Sequence, residues 1–232
     1  MAKFNTSKLE NFDREVLSIN LYQNIIEKHI KSNKNIFIVD AGAEIGYYLK
    51  AAIDVFTKLG DSKKGIELKI CCFEPDPLAF NILKINKQKW LEAANFAHEI
   101  KLINVALSNE SDKIPIHIGK KSSTVLTNQY NKEMTFMVNS SSVDEHFYQT
   151  NKIIDIMKVD IEGYEYFMIF GCLKMLQDKR IKNIILEIHW PMLKMVNLDG
   201  NKMRNFIKNF GYKEKLIESE DNKNETFHYT VA

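Results

Sequence analysis

One stretch constrains this chain more than any other: Asn35 to Tyr48, which reads N-I-F-I-V-D-A-G-A-E-I-G-Y-Y. Ile36 to Val39 is an apolar, β-branched run without alternation, the pattern of a strand buried on both faces. Asp40 closes the strand, and Gly42 and Gly46 bracket a tight turn. Ile45, Leu49, Ile53 and Phe56 then fall on one face of a helix. Strand, glycine turn and helix bring backbone close to a nucleotide-like ligand, because Gly42 accepts a positive φ and puts no Cβ in the way. An ordinary βα turn has the same outline, and a glycine pair by itself does not separate the two.

Composition narrows the class. With 232 residues and 45% apolar side chains, the chain can bury one core of the larger kind. Its 32 basic and 30 acidic residues leave a net charge of +2, and the lysines are scattered. That is no electrostatic footprint for DNA or RNA, so no nucleic-acid partner is expected. No apolar run approaches membrane-spanning length, and the start M-A-K-F-N-T-S-K lacks a signal-peptide core, so no membrane insertion is expected either. Three cysteines, two of them adjacent at Cys71 and Cys72, offer neither a disulfide framework nor a CxxC metal site. A cytoplasmic, reduced protein is expected.

The remaining segments read as a parallel α/β domain. Residues 8 to about 31 predict a helix with Phe12, Val16, Ile19, Ile26 and Ile30 on one stripe. We take residues 1–34 as an N-terminal helical accessory segment, whose apolar stripe could support a homodimer, and 35–232 as the main domain. Leu68 to Phe73 predicts a second strand ending at Glu74, with Asp76 and Pro77 as cap and first residue of a helix carrying Leu78, Ile82, Ile85 and Trp90. A carboxylate at Glu74 can accept both hydrogen bonds of a ribose diol, or be a solvated loop residue. Ile100 to Val105 is a third strand. The stretch around 109–150, with short strands at Ile114–Ile118 and Met134–Val138, reads as an insertion near the site mouth. Ile153 to Val159 runs into K-V-D-I-E-G-Y-E, followed by a helix bearing Phe167, Phe170 and Leu173. Asn183 to Ile188 runs into E-I-H-W-P. A helix over Met203–Phe210 is stopped by Gly211, and two closing strands at Tyr212–Ile217 and Thr226–Val231 must pair antiparallel across their short turn.

Placed together, V-D-A-G-A-E-I-G-Y-Y (39–48), F-E-P-D-P (73–77), N-V-A-L-S (104–108), S-V-D-E (142–145), I-M-K-V-D-I-E-G-Y-E (156–165) and L-E-I-H (186–189) resemble the FkbM family of S-adenosylmethionine-dependent methyltransferases. The resemblance implies a class I methyltransferase (Rossmann-like) fold, a mainly parallel seven-stranded sheet with an antiparallel C-terminal hairpin. It also implies methyl transfer to a hydroxyl of a small molecule, sugar or glycan precursor, with N-methylation or donor binding without catalysis as alternatives. Carried over by position, Asp40, Gly42, Ala43, Glu44 and Gly46 would hold the methionine part of the donor, Glu74 its ribose, and Asn104 and Ala106 the adenine. Asp160 would lie closest to the sulfonium. Family members usually carry Asn where this chain has Glu44, whose carboxylate could repel the donor's carboxylate or attract its ammonium.

A neutral alcohol needs help to lose its proton, from a base or a metal ion. Asp160, Glu162, Glu187 and His189 stand at the ends of adjacent parallel strands, on the rim where ligands bind. His189, with an ordinary pKa near working pH, is the expected base, unless it merely bonds the following loop. Asp160, Glu187 and His189 could instead share a divalent cation. Glu165 and Tyr164 read as packing or helix-dipole partners, and Trp190 as a stacking platform or core residue. A dinucleotide-dependent oxidoreductase is disfavoured, because A-G-A-E-I-G lacks the G-x-G-x-x-G spacing.

Overall fold

A computed structural model of the chain describes residues 16–32, 34–60, 65–94, 98–118, 123–124, 135–220 and 223–231. In chain order the elements are α1 (Val16–Lys31), β1 (Ile36–Ala41), α2 (Tyr47–Lys58), β2 (Leu68–Phe73), α3 (Pro77–Ala94), β3 (Glu99–Ile103), β4 (Ala106–Leu107), β5 (Lys113–Ile118), β6 (Ser123–Thr124) and β7 (Thr135–Ser141). The second half adds α4 (Val143–Phe147), β8 (Ile156–Val159), α5 (Glu165–Phe170), α6 (Leu173–Gln177), β9 (Asn183–His189), α7 (Trp190–Met195), α8 (Gly200–Asn209), β10 (Tyr212–Ser219) and β11 (Asn224–Val231). Seven strands form one sheet in the order β10-β11-β9-β8-β1-β2-β3, and β4, β7, β5 and β6 form a second, four-stranded one. In the large sheet β11 runs antiparallel to both β9 and β10. The expected α/β class and closing hairpin are both present.

Strand alternation divides the interior. On one face Phe37, Val39, Ala41, Cys71, Phe73, Met157, Val159, Leu186 and Ile188 join the core beneath α5, α6 and α8. On the other, Ile36, Ile38, Leu68, Ile70, Cys72, Ile156 and Ile185 pack with α1 and α2. Cys71 and Cys72 enter different cores, as their adjacency requires, and all three cysteines are free and buried. Continuing the second face toward the strand ends gives Asp40, Glu74, Lys158, Asp160, Glu187 and His189. The strand that forms the floor of one core therefore delivers polar side chains to the rim at its end.

Three helices turn differently from their expected stripes. In α1 the buried line is Ser18, Tyr22, Ile26 and Ile30, while Val16 is exposed; Phe12 lies outside the described residues. That line packs inside the chain, with Tyr22 edge-on to Tyr48 at 5.1 Å and Tyr48 Oη donating to Ser18 Oγ at 3.1 Å. In α3 Leu78 and Ile85 are exposed and Leu83 is the buried residue. Leu173 is also exposed, and Met168 and Ile169 fill the core that Phe167 and Phe170 were expected to fill. In each case the helix turns to meet whatever covers it, and helical spacing alone does not say which side that is. No described helix is long and apolar enough to cross a membrane.

Candidate active site

The first half of the rim lies over β1 and β2. Asp40 is almost fully buried, and neither of its carboxylate oxygens has a hydrogen-bond partner among the described residues. Burial pushes its carboxyl up to about 6, against the pull of nearby Lys158. Glu74 is also buried, but backbone grips it: Oε2 accepts from the Glu44 amide and Oε1 from the Asp76 amide, each at 2.8 Å. Burial still carries its carboxyl up to about 8. Asp76 caps α3 as expected, accepting from the Leu78 amide at 2.8 Å. The Asn104 amide donates to the carbonyls of Glu74 and Pro75, which pins the β2–α3 loop. Ala106 is buried in β4, paired with Ser140 of β7.

The two glycines have a role the sequence did not show. A Cβ on Gly42 would stand 1.8 Å from the carbonyl oxygen of Asp160, and one on Gly46 would meet Leu83 and Trp90 within 3.0 Å. Their φ values are +79° and +102°. These residues let the turn close against the end of β8 and against α3, so the contact that demands glycine is with the protein's own chain. Ala43 is buried in the same turn, and Glu44 takes a left-handed φ of 47°.

The second half lies over β8 and β9. His189 is buried, and its Nδ1 is bound at 2.5 Å to Oε1 of Glu165, a fully buried carboxylate on α5. Its Nε2 faces Glu162 Oε2 at 3.5 Å, Asp160 Oδ1 at 3.6 Å and Glu187 Oε1 at 3.7 Å. The four residues expected to act together do converge. Lys158, also buried, donates to Asp160 Oδ2 at 3.0 Å and lies over the Tyr48 ring. Burial raises the Asp160 carboxyl, but Lys158 and His189 outweigh it and hold it below the usual range. Burial likewise lowers the His189 pKa, yet Glu165, then Asp160 and Glu187, raise it to about 10. These carboxylates favour the charged ring, a shift away from the ordinary imidazole value on which the expectation of a base rested. Glu165, taken from the sequence as a packing or dipole partner, is the anchor of the imidazole. Its sequence signal was a glutamate at a position whose helix neighbours are core. Trp190 packs on the core and donates Nε1–H to Glu225 at 2.9 Å.

S-adenosylmethionine, the donor the resemblance implies, carries a sulfonium and an ammonium. The bare carboxylate of Asp40, the acceptor lone pairs left on Glu74 and the carboxylates around β8 suit such a cation, so the residues present fit it.

Comparison with known proteins agrees. The profile of the methyltransferase FkbM domain matches residues 40–214. No curated protein matches the chain. Among solved structures, a SAM-dependent methyltransferase from Agrobacterium tumefaciens is 9% identical with a TM-score of 0.50; the match covers 94% of this chain and 62% of that one. A protein from Clostridium thermocellum, provisionally named an rRNA methylase, is 10% identical with a TM-score of 0.50 over 88% of this chain and 93% of that one. At such identities the likeness is one of fold.

Proposed function

The chain belongs to the FkbM family of S-adenosylmethionine-dependent methyltransferases, and on that premise we propose that it methylates a hydroxyl of a small molecule or sugar, such as a surface-glycan precursor. The observation that carries the reading is the convergence of Asp160, Glu162 and Glu187 on Nε2 of His189. A hydroxyl loses its proton as its oxygen bonds to the methyl carbon, and that proton needs an acceptor within reach. In this reading the acceptor is one of the three carboxylates that face Nε2. His189, clamped by Glu165, is the group on which they converge.

S-adenosylmethionine, when bound, supplies a methyl group already activated by its sulfonium. The protein's part is alignment, which brings most of the gain in a displacement of this kind. In this reading Asp40 and Glu74 bind and orient the donor over β1 and β2, and Asp160 stands between donor and acceptor. A carboxylate-lined rim supports a neutral acceptor over a polyphosphate, which it would repel. Free cysteines support a cytoplasmic setting.

The test is calorimetric titration of the protein with S-adenosylmethionine and, separately, NADH, followed by transfer of labelled methyl to a panel of sugars. Donor binding and label on a hydroxyl are the expected results. Binding of NADH but not of the sulfonium donor would sink the reading. Substituting His189 and Asp160 one at a time separates an enzyme, which loses turnover, from a binding module, which has none to lose.

A further inference from the structure

The cluster at the ends of β8 and β9 is over-supplied with carboxylates for the single imidazole it surrounds. Asp160, Glu162 and Glu187 face Nε2, and Glu165 stands behind Nδ1. Lys158 offsets Asp160 from the other side. At 3.5 to 3.7 Å, the contacts to Nε2 are longer than well-made hydrogen bonds. They fall inside the range that two ligands of one ion span. Two ligands each about 2.1 Å from a common ion lie about 3 Å apart at a right angle and about 4 Å apart across it. One donor atom from each of Asp160, Glu162 and His189 lies within 4.8 Å of the others.

A second observation is independent of that spacing. Glu165 has no exposure; its Oε1 holds His189 Nδ1 and the Gly163 amide, while its Oε2 has no hydrogen-bond partner among the described residues. That carboxylate stands on the Nδ1 side of the ring, so Nε2 is the nitrogen that faces the cluster. A carboxylate on the far nitrogen is the usual support of a metal-bound histidine, because it fixes the N–H there and aims the other nitrogen's lone pair at the ion.

We propose that Asp160, Glu162 and His189 hold a divalent cation at the end of the β8–β9 pair. Two carboxylates and one imidazole, without thiolate, suit a hard divalent ion such as Mg²⁺ or Mn²⁺. The set differs from the one expected from sequence by Glu162 in place of Glu187, whose Oε1 accepts from Asn224 Nδ2 at 2.9 Å. The cation's use, though not its binding, rests on the methyl-transfer reading. There it lowers the pKa of the acceptor hydroxyl, and Glu187, the remaining neighbour of Nε2, takes the proton.

The test titrates Mn²⁺ into the full, EDTA-stripped chain without donor and follows the resonance of free Mn²⁺ by electron paramagnetic resonance. One ion per chain is expected. Glu162→Gln and His189→Ala should each weaken binding by at least tenfold, and Glu165→Gln by about 10–100-fold. Asp54→Asn, a change to an exposed carboxylate on α2, should leave binding unchanged. Thermal melts of each variant show whether the fold survives. A free-ion signal undiminished by excess protein overturns the proposal, as does equal binding by wild type, folded Glu162→Gln and folded His189→Ala. Calorimetry with S-adenosylmethionine on the same stripped sample keeps the two readings apart. Donor binding without Mn²⁺ binding overturns the metal and leaves methyl transfer standing; Mn²⁺ binding without donor binding does the reverse.

Discussion

The two halves of the rim use the same residue types and hold them by opposite means. Over β1 and β2, backbone fixes the acids: Glu74 is held by two amides, its loop is pinned through Asn104, and Asp40 sits at a buried strand position with its oxygens bare. Over β8 and β9, side chains fix one another: three carboxylates and Glu165 converge on His189, and Lys158 holds Asp160. The first half is therefore held by main-chain bonds and has acceptor capacity to spare. The second is a charge cluster whose geometry depends on every member. In the proposed reading, binding belongs to the half held by main-chain bonds, and proton movement to the half where charged side chains meet.

The change expected to break this division most completely is Gly42→Ala, because Gly42 is where the halves touch. Its new Cβ would overlap the Asp160 carbonyl at a backbone angle that favours glycine. A loss of about 4 kcal/mol of unfolding free energy is expected, read by urea denaturation. His189→Ala should act on one half only. Turnover should fall by about 10²–10⁴-fold while the dissociation constant for the donor stays within about threefold, measured by calorimetry beside a labelled-methyl assay. A matching loss of donor affinity would erase the distinction between halves. Glu74→Gln is the reciprocal change and should weaken donor binding by about tenfold, with little effect on turnover at saturating donor.

Glu74 also gives the comparison a pH axis. Its carboxyl in the folded chain lies at about 8, above the ordinary 4.5. A ribose diol donates to the ionised form, so donor affinity should rise as pH climbs from 7 to 9, and Glu74→Gln should flatten the rise. The same shift favours the protonated carboxyl in the folded state, so this group's contribution to stability falls as pH rises from 4.5 through 8. The smallest effect is expected away from the rim. His29 Nε2 lies 3.5 Å from Asp155 Oδ1, and the hydrogen bond to Asp155 raises the imidazole pKa despite partial burial. That pair stabilises the fold below pH 6.5 and is lost as pH passes the raised value. His29→Gln should cost about 0.5–1 kcal/mol at pH 6 and almost nothing at pH 9, by thermal melts at each pH.

What the sequence made legible follows a physical line. Strands read well, because a β-branched run buried on both faces, such as Ile36–Val39, has few other fates, and the alternation that separates Cys71 from Cys72 is local geometry. The convergence of Asp160, Glu162, Glu187 and His189 was legible for the same reason, since parallel strand ends share one edge. Helix faces were harder: Leu78 and Ile85 have helical spacing, but the packing partner of α3 chose Leu83. Glu165 was missed as an anchor because its partner is 24 residues away, at the end of β9. The need for glycine at position 42 comes from the Asp160 carbonyl, equally remote in sequence. The upward pull on the His189 pKa was out of reach because it comes from three carboxylates at once.

The meeting of β1 with β8 also sets an order in time. Strands β1, β2 and β3 come from one continuous third of the chain, and each is joined to the next by a single helix. The central seam instead ties Phe37 to Asp155, 118 residues apart, through the bond from the Phe37 amide to Asp155 Oδ2. Closing so long a loop is the slow kind of contact. A chain emerging from synthesis can thus assemble early, on local contacts, the half proposed to bind the donor. It must then wait for β8 before Gly42 finds the Asp160 carbonyl and the rim becomes one surface, so the ability to hold a donor should precede the ability to use it.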